Sequence, residues 1–352
     1  NWLRFFLHRS KRAKPDRKGA RALFKAQLSA KATRCFSTES ADSGPSLRPQ
    51  YWGHRLTGVA ATDVTSLGCH TDLWNPHEGR FSSLVDRLGI ADKIAPARRS
   101  ADILGPILPE IATLTGLSPN TPVHCGIHDS NASLLPHNLS QSEPFSVVSS
   151  GAWTIVMSIG EQSVPLDPDK DVLINVNAQG AAVPSARFMG GREHDLAKGG
   201  PYREATETAM AEVLAKGIML TPAVVPETGP NRGCTSRWVG PEPRIGSAER
   251  GVAVAFYLAL VTRRCLELVG HRGSIIVEGP FAKNSVYLQM LSAATGCYVA
   301  PMVSATGTSQ GAALLVSGSV ISQNAAGSSL VSQKPETDRW AEYASQWAEI
   351  CC

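Results

Sequence analysis

Two periods of apolar residues alternate along most of this chain. Tyr51–Gly58 reads as a short amphipathic helix closing on glycine, and Phe81–Leu88 as a helix with Phe81, Leu84, Val85 and Leu88 on one face. Ile103–Leu108 is broken by Gly-Pro, and a short helix over Pro109–Thr115 leads into a strand at Pro122–Cys125. Then come a turn holding Asp129, a small-residue helix start at Ser130–Leu135 and a strand at Phe145–Val148 that ends in a Ser149-Ser150-Gly151 turn. Further strands are expected up to Ile159, over Val172–Val176, over Gly273–Glu278 and over Tyr298–Pro301. Met189–Glu193, with two glycines beside Arg192 and Glu193, reads as a turn capped by an ion pair or, less readily, as a backbone approach to a ligand; Glu204–Lys216 reads as a helix and Ile218–Gly233 as a Pro/Gly-rich connection. The clearest helix is Ala248–Val269, with Val252, Ala255, Phe256, Ala259, Leu260, Leu266 and Leu268 near one buried face and Gly270 as its stop. A helix begins at Asn284 and runs to Ser292, and small residues from Ala305 to Ala313 feed one more. Strands alternating with helices define an α/β chain.

Composition narrows the class. At 352 residues, with 43% hydrophobic content, the chain has room for two globular domains. It contains no apolar run long enough for a membrane span. Eight scattered cysteines form no C-x-x-C pair, which reads as reduced, cytoplasmic usage, and the histidines have no H-E-x-x-H spacing, so no metal site is expected from ligand patterns. The net charge of +4 conceals an asymmetry: residues 1–50 carry 12 basic residues against three acidic ones, leaving 22 basic and 27 acidic in the rest. The acidic body argues against nucleic acid as the main partner, although the basic arm alone would fit a nucleic-acid binder. Residues 1–49 lack a sustained apolar period and are expected to be poorly ordered.

Candidate chemistry gathers where strands empty into polar turns, because open α/β sheets bind ligands at such edges. Asp129 has the character of a general base, and equally of a helix N-cap. The turn from Ser149 to Ala152 offers backbone N–H groups to a phosphate. Gly279 allows close backbone approach and Asn284 stands at a helix start, a seat for ribose or phosphate oxygens. Thr62, Asp63, Ser66 and Asp72 have the hydroxyl and carboxyl groups of a polyol pocket, although such residues more commonly serve as caps and surface groups.

The order of these pieces resembles the FGGY carbohydrate kinases over about Gln50 to Trp347. YWGHRLTG and TDVTSLGCHTDLWNP are similar to the family's L-T-G helix end and its Thr-rich stretch; GIHDSNAS to its G-x-x-D motif; SSGAW to its S-[ST]-G-T-W phosphate turn. VEGPFAKN resembles its adenosine segment, and TGTSQGAALL its closing Gly-Ala-Ala helix. The resemblance implies an actin/hexokinase-like (ribonuclease H-like) ATPase fold of two domains, the first incomplete. It implies residues 50–140 as a remnant of a sugar-binding domain, 141–326 as a nucleotide-binding domain and 327–352 as a tail with a short helix. It makes Asp129 the base, places Ser149, Ser150, Gly151 and Ala152 near the transferred phosphoryl group, and gives Gly279, Asn284, Gly307 and Gly311 to the nucleotide. His128, Asn131 and Trp74 fall to the sugar, and ATP with Mg²⁺ is the phosphoryl donor. The wording of MGGRE and GIHDS is nearest to kinases of deoxy-ketohexoses such as L-fuculose and L-rhamnulose. A small-molecule sugar is the expected partner, with room for a homodimer.

Two departures stand out. The family's opening D-x-G hairpin, which holds Mg²⁺ and phosphates, has no counterpart here, so an N-terminally truncated chain is expected. The phosphate-turn threonine is Ala152, and losing one such donor weakens transition-state binding by ~1–3 kcal/mol. A non-catalytic nucleotide-binding product is therefore the alternative reading.

Overall fold

The computed structural model describes residues 48–160, 164–302, 307–317 and 338–351, so the expectations for residues 1–47 lie outside the described residues. The chain parts into two compact units at Gly126/Ile127.

The first unit contains α1 (Arg48–Thr57), β1 (Thr62–Asp63), α2 (Val64–His70), β2 (Trp74–Asn75), β3 (Arg80–Phe81), α3 (Ser83–Leu88), β4 (Ala97–Arg98), β5 (Ile103–Pro106), α4 (Pro109–Thr115) and β6 (Pro122–His124). Its strands form two-stranded ribbons, of which β1–β4 is parallel and β2–β3 and β5–β6 are antiparallel. A small core of Leu67, Leu73 and Val85 holds it together, with Trp74, Phe81, Leu84, Ile90 and Ile94 packed around. Asp63 caps α2 and takes up most of the local hydroxyls. Its carboxylate accepts from Ser66 N at 2.9 Å, Ser66 Oγ at 3.0 Å and Ser100 Oγ at 2.8 Å, and also from Thr65 Oγ1. Thr62 Oγ1 donates to the Ala95 carbonyl. Of the polyol-pocket group, Thr62, Asp63 and Ser66 thus engage these groups within the fold, with Asp63 in the capping role that the sequence favoured.

The second unit opens on α5 (Asp129–Ser140), followed by β7 (Phe145–Ser150), β8 (Thr154–Ile159), β9 (Val172–Val176), β10 (Ala182–Phe188), α6 (Gly190–Lys198) and α7 (Glu207–Ala215). It continues with β11 (Met219–Leu220), β12 (Trp238–Val239), α8 (Ala248–Leu268), β13 (Ser274–Glu278), α9 (Ser285–Thr295), β14 (Val299–Met302), α10 (Gly307–Ser317) and α11 (Asp338–Ile350). Six strands form one mixed sheet in the order β14-β13-β7-β8-β10-β9. The pairs β14–β13 and β13–β7 are parallel, and from β7 to β9 the pairing is antiparallel.

Strand β7 is buried almost throughout (Phe145, Val147 and Val148 are fully buried), as is expected of a strand covered on both faces. On one side Leu134 of α5 packs with Phe145, Val147, Met157, Ile159, Val183 and Ile276. On the other lies the main core, built around α8. Helix α8 differs from the expectation of one buried face: every residue from Arg250 to Thr262 is buried. The main core covers α8 on several sides, with residues of α6, α7, α9 and α11 gathered around it. Arg250 is tolerated there because its guanidinium donates to Glu242 and to the carbonyls of Ala197 and Pro243, and stacks over the Trp238 ring. Helix α11 closes this core with Tyr343 Oη donating to the Ile218 carbonyl and Trp347 Nε1 to the Leu220 carbonyl, both at 2.7 Å.

Four local expectations change. Met189–Glu193 is not a turn: Met189 caps α6, and the glycines are its first two residues. Ala182–Phe188, not foreseen as a strand, pairs with both β8 and β9. Met219–Leu220, inside the expected connection, pairs with Trp238–Val239. Cys234 is disulfide-bonded, against the expectation of wholly reduced cysteines, whereas Cys125, Cys265, Cys297 and Cys351 are free thiols. Among the described residues no helix is long and apolar enough to cross a membrane.

Candidate active site

Asp129 is the first residue of α5, and His128 occupies the N-cap position. The capping role considered for Asp129 therefore falls one residue earlier. The Asp129 carboxylate is 75% exposed; its Oδ1 accepts from Ser130 N at 2.7 Å and lies 3.1 Å from His128 Nε2. It is thus accessible and held by short local contacts. Asn131, two residues on, is 1% exposed, and neither amide atom has a partner within the structure. Buried polar groups of that kind call for a bound water or ligand hydroxyl.

Helix α5 is fixed on two sides. Pro136 lies inside it and has no N–H, so the Ala132 carbonyl four residues back is released from the helix ladder. That carbonyl lies against Gly311 of α10: a Cβ at Gly311 would stand 1.7 Å from Ala132 O. Ser133 Oγ and Thr308 Oγ1 meet at 2.9 Å along the same seam. On another side, His137 Nε2 lies 2.6 Å from Glu278 Oε1, at the end of β13. Close helix packing thus accounts for glycine at position 311, while Gly307 begins α10.

The turn at Gly151–Trp153 joins β7 to β8. Ser149 and Ser150 are the last residues of β7 rather than part of the turn. Ser150 Oγ donates to the Glu278 carbonyl and accepts from Phe281 N at 3.0 Å, so its hydroxyl binds this turn to the next one instead of standing free. Gly279 follows at φ +77°, and a Cβ there would lie 2.0 Å from Ser150 O. No other residue fits, on both counts. Beyond a 3₁₀ turn over Pro280–Lys283, Asn284 caps α9, its Oδ1 accepting from Tyr287 N at 3.1 Å. The second unit thus brings the turns at 151 and 279 together through Ser150, and joins α5 to them through Glu278.

Gly190 and Gly191, weighed from the sequence as a turn or as a backbone approach to a ligand, open α6 instead. A Cβ on Gly191 would stand 2.4 Å from Gly151 O, so the N-terminus of α6 abuts the turn. Glu193 N is bonded to Met189 O, whereas the N–H groups ahead of it in the first turn have no partner within the helix. The signal was the double glycine, which reads as a turn unless the helix behind it is recognised. In the same helix Glu193 is 2% exposed, accepting from Tyr257 Oη at 2.7 Å and Val225 N at 3.3 Å; burial pushes its carboxyl up to about 7. Trp74 sits in the first unit with its ring edge-on to Phe81 at 5.7 Å, and belongs to that unit's core. No group of three or more His, Cys, Asp or Glu among the described residues is arranged to hold a metal.

The six-stranded mixed sheet and its helices fit the actin/hexokinase-like ATPase fold. Residues 47–136 match the N-terminal domain model of the FGGY family of carbohydrate kinases, and residues 142–325 match a carbohydrate kinase FGGY C-terminal domain model. A carbohydrate kinase from Novosphingobium aromaticivorans is similar in structure at 36% identity and a TM-score of 0.76, covering 86% of this chain and 67% of that one. A xylulose kinase from Lactobacillus acidophilus (18% identity, TM-score 0.59) covers 77% of this chain and 58% of its own. Plasmodium falciparum glycerol kinase with ADP (15% identity, TM-score 0.57) covers 76% and 56%. No curated protein matches the chain. The chain belongs to the FGGY family of carbohydrate kinases.

Proposed function

We propose that this protein transfers the γ-phosphoryl group of ATP to a hydroxyl of a ketose or related polyol, in the cytoplasm, with Asp129 as general base. The observation that carries the reading is the accessible carboxylate of Asp129 at the head of a helix tied to both turns of the nucleotide lobe. As the sugar oxygen attacks phosphorus in line, its proton passes to Asp129 and ADP departs; such proton transfer contributes roughly 10²–10⁴-fold. The N–H groups at Gly151–Trp153 and at the start of α6 would receive phosphate oxygens, since Gly191 lies directly against Gly151 and sets the two segments side by side. Gly279, Asn284 and Gly307 would receive the adenosine. The buried, unpartnered amide of Asn131 favours a polar group of the sugar or a water bound with it. Mg²⁺ would supply charge neutralisation to the phosphates in such a reaction.

A second reading, nucleotide binding without transfer, is favoured by one observation: Ala152 has no hydroxyl where the family's turn has threonine. A screen of ketoses and polyols, deoxy-ketohexoses included, with Mg·ATP and mass-spectrometric detection of the sugar phosphate separates the two. A phosphorylated sugar in stoichiometry with ADP supports the kinase; nucleotide binding with no product from any sugar supports the second.

A further inference from the structure

Glu278 stands where three parts of the second unit meet. Its side chain is 17% exposed and pairs with His137 Nε2 at 2.6 Å, and the His137 side chain is 4% exposed. Its carbonyl accepts from Ser150 Oγ, which holds the turn after β7. Its successor, Gly279, is pressed on Ser150 O. His137 lies eight residues after Asp129, about 12 Å along the helix axis at 1.5 Å per residue. One carboxylate therefore ties the helix that presents the exposed acid to the strand end from which the 279–284 segment departs.

We infer that the His137–Glu278 pair is a positioning device: it sets the register of Asp129 against the turns at 151 and 279, acting through α5 and without touching either substrate. Three features support it. A buried His–carboxylate contact of 2.6 Å fixes direction as well as distance. Helix α5 needs such an anchor because Pro136, next to His137, interrupts the helix ladder and makes the helix a poorer lever. The opposite anchor, Gly311 packed on the freed Ala132 carbonyl, is joined by an exposed hydrogen bond between Ser133 and Thr308, whereas the His137–Glu278 contact is buried and directional.

This inference rests on the kinase reading, and the test keeps the two apart. Steady-state kinetics and calorimetric ADP binding are compared for the wild-type protein, His137→Ala, His137→Gln, Glu278→Ala and Glu278→Gln. Misplacing a base costs turnover much more than ground-state nucleotide binding, so His137→Ala lowers kcat about tenfold or more while KM for ATP and the ADP affinity stay within about twofold. His137→Gln, whose amide reaches the same carboxylate, recovers most of kcat. A folded His137→Ala with wild-type kcat overturns the inference, as does a Gln variant as impaired as Ala. If His137→Ala does not fold, Glu278→Ala removes the same contact and carries the comparison, while Glu278→Gln, which keeps an acceptor for His137, should stay near the wild-type kcat. If the wild type phosphorylates no sugar, the kinase reading fails on its own. Hydrogen exchange then decides the pair: faster exchange at residues 145–150 and 279–284 in His137→Ala supports the coupling, and unchanged exchange there overturns it.

Discussion

Glu193 shows what burial does to a single residue in this fold. Its carboxyl, held at about 7 by burial, is protonated in the folded protein over a range where the unfolded chain, near 4.5, has already ionised. The native state binds the extra proton, so this group's contribution is fully present below about 4.5 and is lost as pH rises to about 7, a change of ~3 kcal/mol at most. Glu193→Gln keeps one carbonyl oxygen, for Val225 N, turns an amide N–H towards Tyr257 Oη, which can accept it, and removes the ionisation. Urea midpoints between pH 5 and 8 should fall with rising pH in the wild type and stay flatter in the variant; parallel curves would count against this assignment. None of this was legible in the sequence, where Met189–Glu193 reads as a turn capped by an ion pair. Asp129 was legible as a chemical type and ambiguous as to role, because caps and bases are drawn from the same residues. The neighbouring cap is His128, which no composition rule points to.

At the scale of elements, α5 and α10 meet backbone to backbone, and the contact depends on one glycine and one proline. Gly311→Ala places a methyl 1.7 Å from Ala132 O, so the helices must part. Overpacking of this kind costs about 1–3 kcal/mol, readable as a lowered thermal midpoint, with turnover falling because α5 carries Asp129. An unchanged midpoint would show that the seam yields freely. Elements with strong local signals were legible: the long apolar helix α8, the β-branched strand β13 and the cap at Asn284. Strand β10 was not, because its run AVPSARF mixes proline, arginine and small residues and is held by pairing on both sides rather than by its own pattern. Helix α8 was legible as a helix and misread as one-sided, since all-round burial depends on elements far along the chain such as Tyr343 and Trp347. Close approaches at Gly191, Gly279 and Gly311 were similarly beyond local pattern, because each glycine answers to a backbone elsewhere in the chain.

For the whole molecule, the family and the fold follow from matches across most of the described chain. The proposed chemistry rests on Asp129 taking the proton of a sugar hydroxyl beside a nucleotide on the turns at 151 and 279. The most direct measurement is sugar phosphorylation by Asp129→Asn, with ADP affinity measured on the same sample. An amide preserves shape and cannot take the proton, so turnover should fall by roughly two orders of magnitude or more while ADP binding changes little. Near-normal turnover in Asp129→Asn would contradict the account.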